Sequence, residues 1–327
     1  MASLTEPVYT IKIKKRNSNT VMDVTGHAIE VSLVDAENEL AYKAEVKLAD
    51  TVLTDGTRLS SKVGERDTVS IYVNTGGGAN LLFYGTVWGI NNEVTETNEV
   101  KFTVYDPLIY LQKSEAALYF AKNKQTKTIV QSVLKSLGLK YVYGYSSVRH
   151  GKIAHRGTYA DLIVDTLFES VRKSKGTRGI LRWDNGKCEA RPEGWNSTYY
   201  TVNVTDTGTS VEYATTMDEM VTRVKIVNGK KTKKTVNGDT KTWGVLQQVQ
   251  DKGKGKISSA KKVAKQTIKD YGKPTRRWKI VCKDIPYVRK GHQIKITGSI
   301  MTSAMYIVKA VTHDIHNGTM EMEVARK

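Results

Sequence analysis

Hydrophobic and polar residues alternate along the first third of the chain. Tyr9, Ile11 and Ile13 alternate with polar neighbours, as do Ile29, Val31 and Leu33, then Ala44, Val46 and Leu48. Successive side chains of a strand point to opposite faces, so a period of two predicts strands with one buried face. Val69, Ile71 and Val73 repeat the pattern, and Val100, Phe102 and Val104 close it. Between them, residues 75–80 (TGGGAN) predict a flexible turn ahead of the run 81–88 (LLFYGTVW). Short strands at regular spacing, separated by Gly, Asn and Asp, predict a sandwich or barrel.

The period then changes. Ile129, Val130, Val133, Leu134 and Leu137 fall on one helical stripe, with Thr126 predicted as its N-cap and Gly138 as its stop. A second helix is predicted over 159–175, with Leu162, Ile163, Leu167 and Val171 on its apolar face. Thr158 and Asp161 resemble a capping box in which Asp replaces Glu, and Gly176 ends the helix. Ile180, Leu181 and Trp183 begin strands joined by a hairpin at Asp184-Asn185-Gly186. These features predict a small α+β unit.

The last third begins near Met217. Val221, Val224 and Ile226 predict a strand, and the Lys/Thr-rich stretch 230–244 a mobile hairpin or loop. Residues 251–256 (DKGKGK) lead to a helix over 260–271, capped by Ser258 or Ser259 and stopped by Gly272 and Pro274. Strands follow at Trp278 and Ile280, at Ile294 and Ile296, over 305–311, and at Met320, Met322 and Val324 after an Asn317-Gly318 turn. There is no tandem repeat. The two ends of the chain nonetheless share alternating strands and a closing hairpin.

Charge divides the chain in the same places. Residues 1–117 carry 11 basic and 16 acidic side chains, net −5. Residues 118–214 carry 15 and 8, net +7, and residues 215–327 carry 25 and 9, net +16. The expected division is therefore 1–117, 118–214 and 215–327, three units facing different surroundings. The 39% hydrophobic content suffices for packed cores, and five prolines in 327 residues argue against a linker-dominated chain. No apolar run has the roughly 18 to 20 residues of a membrane span, and the first residues show no signal-peptide pattern, so folding in a cytoplasm is expected. The Asn-X-Ser/Thr triplets at Asn196 and Asn203 carry no meaning without secretion.

Candidate chemistry is sparse. Gly76-Gly77-Gly78 lacks the Gly-Lys-Ser/Thr ending of a phosphate loop and reads as a hairpin. His150 with His155, and His313 with His316, lack the further ligands of a zinc site and read as turn and strand-end histidines. Cys188 and Cys282 have neither paired spacing nor a catalytic context. Asp218 and Glu219 are adjacent, so a strand would point them apart. No catalytic, cofactor-binding or metal-ligating residue is assigned, and a chain that is not an enzyme is expected. The lysines at 230–234 and 252–256 are either solvated loops or a contact for a polyanion, with no nucleic-acid-binding motif beside them.

Several segments together resemble a known family. Gly64 and Val69 with Leu82-Phe83-Tyr84-Gly85-Thr86-Val87 form one. The run Val104-Tyr105-Asp106-Pro107-Leu108-Ile109-Tyr110-Leu111 follows, and Val308 to Ile315, Asn317-Gly318 and Met320 to Val324 close the series. Their order resembles the baseplate hub proteins of contractile phage tails and phage-like bacteriocins, the XkdQ/YqbQ type of defective prophages. The resemblance implies an α+β, mainly β fold: two tube-like β-barrel domains with a small α+β domain between them. It implies a homotrimer that adapts a sixfold tail tube to a threefold central spike, since three chains with two similar barrels present six faces. Implied partners are the tail tube protein, the central spike protein and other baseplate proteins, with possible passage of DNA through the lumen and no membrane insertion. The implied location is the tail of a particle assembled in a bacterial cytoplasm. The lysine-rich loops then suggest acidic neighbours. A basic nucleic-acid-binding accessory protein and a tail-associated cell-wall hydrolase remain alternatives.

Overall fold

The computed structural model describes residues 6–93, 98–205, 209–253, 256–298 and 301–327. The chain is mainly β, as expected. In the N-terminal part, Ala28–Asp35 pairs with Lys43–Ala49, followed in antiparallel order by Glu99–Tyr105, Ala79–Glu93, Thr68–Asn74, Val8–Lys14 and Val21–Asp23. The predicted alternation is what the sheet uses. Ile11, Ile13, Val31, Leu33, Val46 and Ile71 all turn into one hydrophobic cluster, while their neighbours face outward. Gly76-Gly77-Gly78 lies in the turn between Thr68–Asn74 and Ala79–Glu93.

The C-terminal part repeats the plan. Ser210–Thr216, Thr275–Lys283, Thr319–Arg326 and Ala304–Asp314 form an antiparallel series. Gln293–Thr297 is added on Ala304–Asp314, and Thr201–Asn203 on Gln293–Thr297. The two halves are one sheet, because Ala304–Asp314 also pairs with Ala28–Asp35 through Val311↔Asp35, Thr312↔Val34, His313↔Leu33 and Asp314↔Ser32. Among the described residues its path runs from Ser210–Thr216 to Val21–Asp23 and does not close into a barrel.

Between the halves lies the helical part. Its helices Thr126–Ser136 and Glu169–Lys175, the latter continuing a wide helical turn over Asp161–Phe168, cover a second hydrophobic cluster. The capping box is present: Thr158 N donates to Asp161 Oδ2 (3.0 Å) and Asp161 N donates to Thr158 Oγ1 (3.1 Å). Gly176 ends the helix at φ 80°, where its N–H donates to Arg172 O. The hairpin at Asn185-Gly186 has positive φ at both residues, as a type I′ turn requires. Thr126 is not the N-cap. It is the first helical residue, and its hydroxyl faces Val148 and His150 instead.

A separate, smaller cluster belongs to residues 221–271. Arg223–Asn228 lies between Lys231–Asn237, antiparallel, and Gln247–Asp251, parallel. The helix Ile257–Tyr271 lays Ala260 and Ala264 on Val224 and Ile226. Of the hairpin and the loop expected over 230–244, the hairpin is present: Lys231–Asn237 turns back on Arg223–Asn228, and a short helix, Thr240–Trp243, follows. Val236 turns toward the cluster, and Asp239 caps the short helix by accepting from Thr242 N. The long helix starts at Ile257 with no side-chain cap, so neither Ser258 nor Ser259 plays that part. Residues 254–255 of the basic run lie outside the described residues.

Candidate functional site at the junction of the sheet halves

The chain gathers its buried charges where the two sheet halves and the helical part meet. Asp35 ends the Ala28–Asp35 strand, and Arg289 and Lys290 follow Thr275–Lys283 in the loop before Gln293–Thr297. The Arg289 Nε donates to Asp35 Oδ2 at 2.7 Å. Lys290 Nζ lies 3.4 Å from Asp35 Oδ1 and also donates to the carbonyls of Ala36 (2.6 Å) and Glu39. Burial alone would raise the Asp35 carboxyl, but the two cations hold it well below the usual carboxylate range. The guanidinium Cζ sits 3.4 Å from the centre of the Tyr42 ring, a cation–π contact inside the protein.

Asp106 lies beside this group. Its Oδ1 accepts from Leu108 N at 2.9 Å, and its Oδ2 has no partner among the described residues. Burial pushes its carboxyl up to about 7, against the pull of Arg289. The Tyr42 hydroxyl and Arg182 Nε are likewise buried without a partner among the described residues. Arg182 reaches across to His292 Nε2 (2.9 Å) and Asp184 (3.0 Å) and stacks on Trp195 at 5.0 Å. Burial and the two arginines push His292 down to about 3, so this ring is neutral and accepts. Above Tyr42, Asp106 and Arg289 opens a cleft of about 350 Å³, walled by Leu81, Tyr84 and the 183–186 hairpin.

Further links cross the same boundaries. Tyr9 donates to Asp284 Oδ2 (2.5 Å), Asp284 Oδ1 lies 2.6 Å from His313 Nδ1, and His313 Nε2 donates to Val288 O at 2.8 Å. Lys309 binds both oxygens of Glu193 at 2.8 and 2.9 Å, and Arg277 pairs with Glu37 and Glu323. This polar network holds the parts of the chain in register. It offers no nucleophile beside a base.

The residues weighed in the sequence are scattered. His313 is fully buried in the network just described, while His316 is exposed at the turn. His150 faces Thr126 Oγ1 at 2.8 Å, with its pKa lowered by burial, and His155 faces its own turn at Thr158 O. No group of three or more His, Cys, Asp or Glu able to hold a metal occurs among the described residues. Cys188 and Cys282 are both buried and free. Burial raises both thiols, Cys282 to about 12, which leaves them protonated and unreactive. Asp218 and Glu219 are exposed in a turn. No described helix is long and apolar enough to cross a membrane. Asp35, Tyr42, Arg182, Arg289 and His292 escaped the sequence reading, and Asp106 entered it only as part of the Val104 to Leu111 run, because most partners are more than a hundred residues apart.

One aromatic group faces outward. Trp88, Tyr105 and Tyr110 form an edge-to-face cluster with ring centroids 6.3 and 5.6 Å apart. Trp88 and Tyr110 remain more than a third exposed.

The fold is shared with solved tail proteins. The tail protein of Neisseria meningitidis MC58 matches at TM-score 0.70 and 11% identity, over 98% of this chain and 96% of that one. The 43 kDa tail protein of prophage MuSo2 from Shewanella oneidensis matches at 0.69 and 13%, over 98% of both chains. Prophage tail protein gp18 from Listeria monocytogenes EGD-e matches at 0.62 and 12%, over 97% and 94%. No curated protein matches the sequence. Residues 34–325 match the YQBQ-like family, which covers most of the chain from the end of the Ala28–Asp35 strand onward, and the chain belongs to that family.

Proposed function

We propose that the chain is a non-enzymatic structural hub of a contractile tail baseplate, a homotrimer that adapts a sixfold tail tube to a threefold central spike. The observation that carries this reading is the joining of two similarly built sheet halves edge to edge in one chain. Three copies supply six such halves toward a tube, while the helical parts and the inserted units keep threefold symmetry. The halves act as the two tube-like barrel domains, and the divisions 1–117, 118–214 and 215–327 mark the functional units. Strands Thr201–Asn203 and Ser210–Thr216 are lent to the last of these.

Open edges support the oligomer. Ser210–Thr216 and Val21–Asp23 end the sheet path, and an unpaired strand edge is a template for another chain. The exposed Trp88–Tyr110 cluster has the composition of an interface anchor. The partners in this reading are the tail tube protein, the central spike protein and other baseplate proteins, with the lumen open to passing DNA. The location is the baseplate of a phage or phage-like particle assembled in the bacterial cytoplasm.

Size-exclusion chromatography with light scattering tests the reading, on the chain alone and with the spike of the same particle. The expected mass is three times the 36.5 kDa chain, at least when spike is present. A persistent monomer that ignores the spike refutes it.

A further inference from the structure

Residues 221–271 carry 14 basic and 3 acidic side chains, net +11 in a unit of 51 residues. Structurally this unit is an insertion. The strands on either side of it, Ser210–Thr216 and Thr275–Lys283, pair directly, with Thr216 opposite Thr275. The sheet does not need the insertion to continue, so the insertion is free to serve another purpose.

Its charge is concentrated on two exposed elements. The helix Ile257–Tyr271 buries Ala260, Ala264 and Thr267 and turns Lys261, Lys262, Lys265 and Lys269 to solvent. Three of these stand at i, i+4 and i+8, on one line along about 12 Å of helix. Like charges at that spacing repel and weaken a helix. The strand Lys231–Asn237 adds Lys231, Lys233 and Lys234, all exposed on a sheet edge. Of the three acids in the unit, Asp270 is already committed to Arg172 of the helical part. Among the described residues none of these seven lysines forms an ion pair. The chain therefore maintains a self-repelling surface that nothing among the described residues neutralises.

The residue types indicate what does. Among the 14 basic residues 13 are lysines and one is Arg223, and the only aromatic residues of the unit are Trp243 and Tyr271, neither fully exposed. Protein interfaces favour Arg and aromatic side chains and are depleted in Lys. Lys acts as a hydrated point charge without the planar fork that matches a carboxylate. This surface is thus built less for an acidic protein than for a dense line of phosphates. Duplex DNA carries one charge per about 1.7 Å of its axis, so a 12 Å stripe meets more phosphates than it has lysines. The helix packs Ala260, Ala264 and Ile268 on its own sheet and exposes one large apolar side chain, Ile257 at its first turn, which is less than the continuous apolar face that a lipid surface takes up.

We propose that the exposed face of the Ile257–Tyr271 helix, with the adjoining Lys231–Asn237 edge, binds the phosphate backbone of duplex DNA without reading its sequence. The proposal rests on charge and exposure, not on the trimeric reading above, and a monomeric chain would leave it standing.

The test uses the full chain and a fluorescent duplex of about 24 base pairs, titrated by anisotropy between about 0.05 and 0.3 M salt. One variant carries Lys261→Gln, Lys262→Gln, Lys265→Gln and Lys269→Gln. Gln preserves helix propensity, and circular dichroism confirms the fold. A control carries Lys122→Gln, Lys124→Gln, Lys127→Gln and Lys135→Gln, four exposed lysines of the helical part, and so removes the same net charge. Expected are duplex binding by the native chain, a loss of at least about tenfold in the helix variant, and a drop of up to about 3.6 in its log–log salt slope, with the control within about threefold of native. The proposal is overturned if the native chain does not bind, if both variants lose equally, or if the salt slope is unchanged. Displacement of the duplex by polyglutamate or anionic vesicles at matched charge also overturns it, and would assign the surface to an acidic protein or a membrane.

Discussion

Replacing Asp106 by Asn isolates the electrostatic state of the junction. The carboxyl goes from an ordinary 3.8 to about 7, because it is buried and one of its oxygens has no partner among the described residues. The folded chain therefore holds this proton more tightly than the unfolded chain does. Wherever the native state binds more protons, stability falls as pH rises. The fall begins near pH 4, where the unfolded carboxyl ionises, and ends near pH 7, where the folded one does. Over about three pH units at about 1.4 kcal/mol each, the native protein loses about 4 kcal/mol from this group. Asn keeps an oxygen for Leu108 N and cannot ionise. The D106N chain should match the native chain near pH 4 and exceed it by about 4 kcal/mol at pH 8. Urea titrations followed by tryptophan fluorescence at pH 4, 5, 6, 7 and 8 measure the difference, provided the slope m stays constant. Other titrating groups cancel in the comparison. Parallel stability curves for the two chains would refute the burial argument.

Two further perturbations test the packing around this site. Arg289→Met leaves Asp35 buried with only Lys290 beside it and should cost about 3 to 5 kcal/mol, while adding Asp35→Asn should restore part of the loss. A double-mutant cycle by chemical denaturation measures the coupling, and a loss under about 1 kcal/mol would mean that the pair does not hold the junction. Gly85→Ala places a Cβ 2.7 Å from the Tyr105 carbonyl oxygen and from the Phe83 ring, so it should cost about 1 to 3 kcal/mol in a thermal melt. Gly77→Ala opens onto empty space and should shift stability by less than about 0.5 kcal/mol.

The strands of the first half could be read from sequence because each has one buried face, so Ile11, Ile13, Val31 and Leu33 announce themselves by alternation. The reciprocal bonds of Thr158 and Asp161 were legible for the same reason: capping is a local interaction. Ser210–Thr216 carries little such signal, since an edge strand with both faces largely exposed needs no alternation. Lys231–Asn237 lacks alternation for a similar reason, because Val236 alone among its residues turns toward a core, so the sequence left a hairpin and a loop both open there. Thr126 was misread because a hydroxyl at a helix start has two uses, and here it faces the segment at Val148 and His150. The junction was invisible because it depends on long-range pairing. Nothing in the sequence around Asp35 announces Arg289, which lies 254 residues away.

The charge asymmetry of the chain has two separate causes. Between its first and last thirds the sequence runs from net −5 to net +16, which reads most simply as domains made for different surroundings. Part of that contrast is settled internally. Asp35 and Glu37 of the acidic third meet Arg289, Lys290 and Arg277 of the basic third, and Lys309 meets Glu193. Buried or half-buried pairs of this kind fix the relative placement of the parts, since each cation left unpaired in the interior costs several kcal/mol. Lys231, Lys233, Lys234, Lys261, Lys262, Lys265 and Lys269 have no such ion pairs among the described residues, and they sit on an element that the sheet can bypass. The basic residues therefore separate by position. Those following Thr275–Lys283 serve the fold, and those on the Ile257–Tyr271 helix are left for a partner outside the chain. Removing Lys261, Lys262, Lys265 and Lys269 should consequently leave folding intact while weakening binding, whereas removing Arg289 should first weaken the fold.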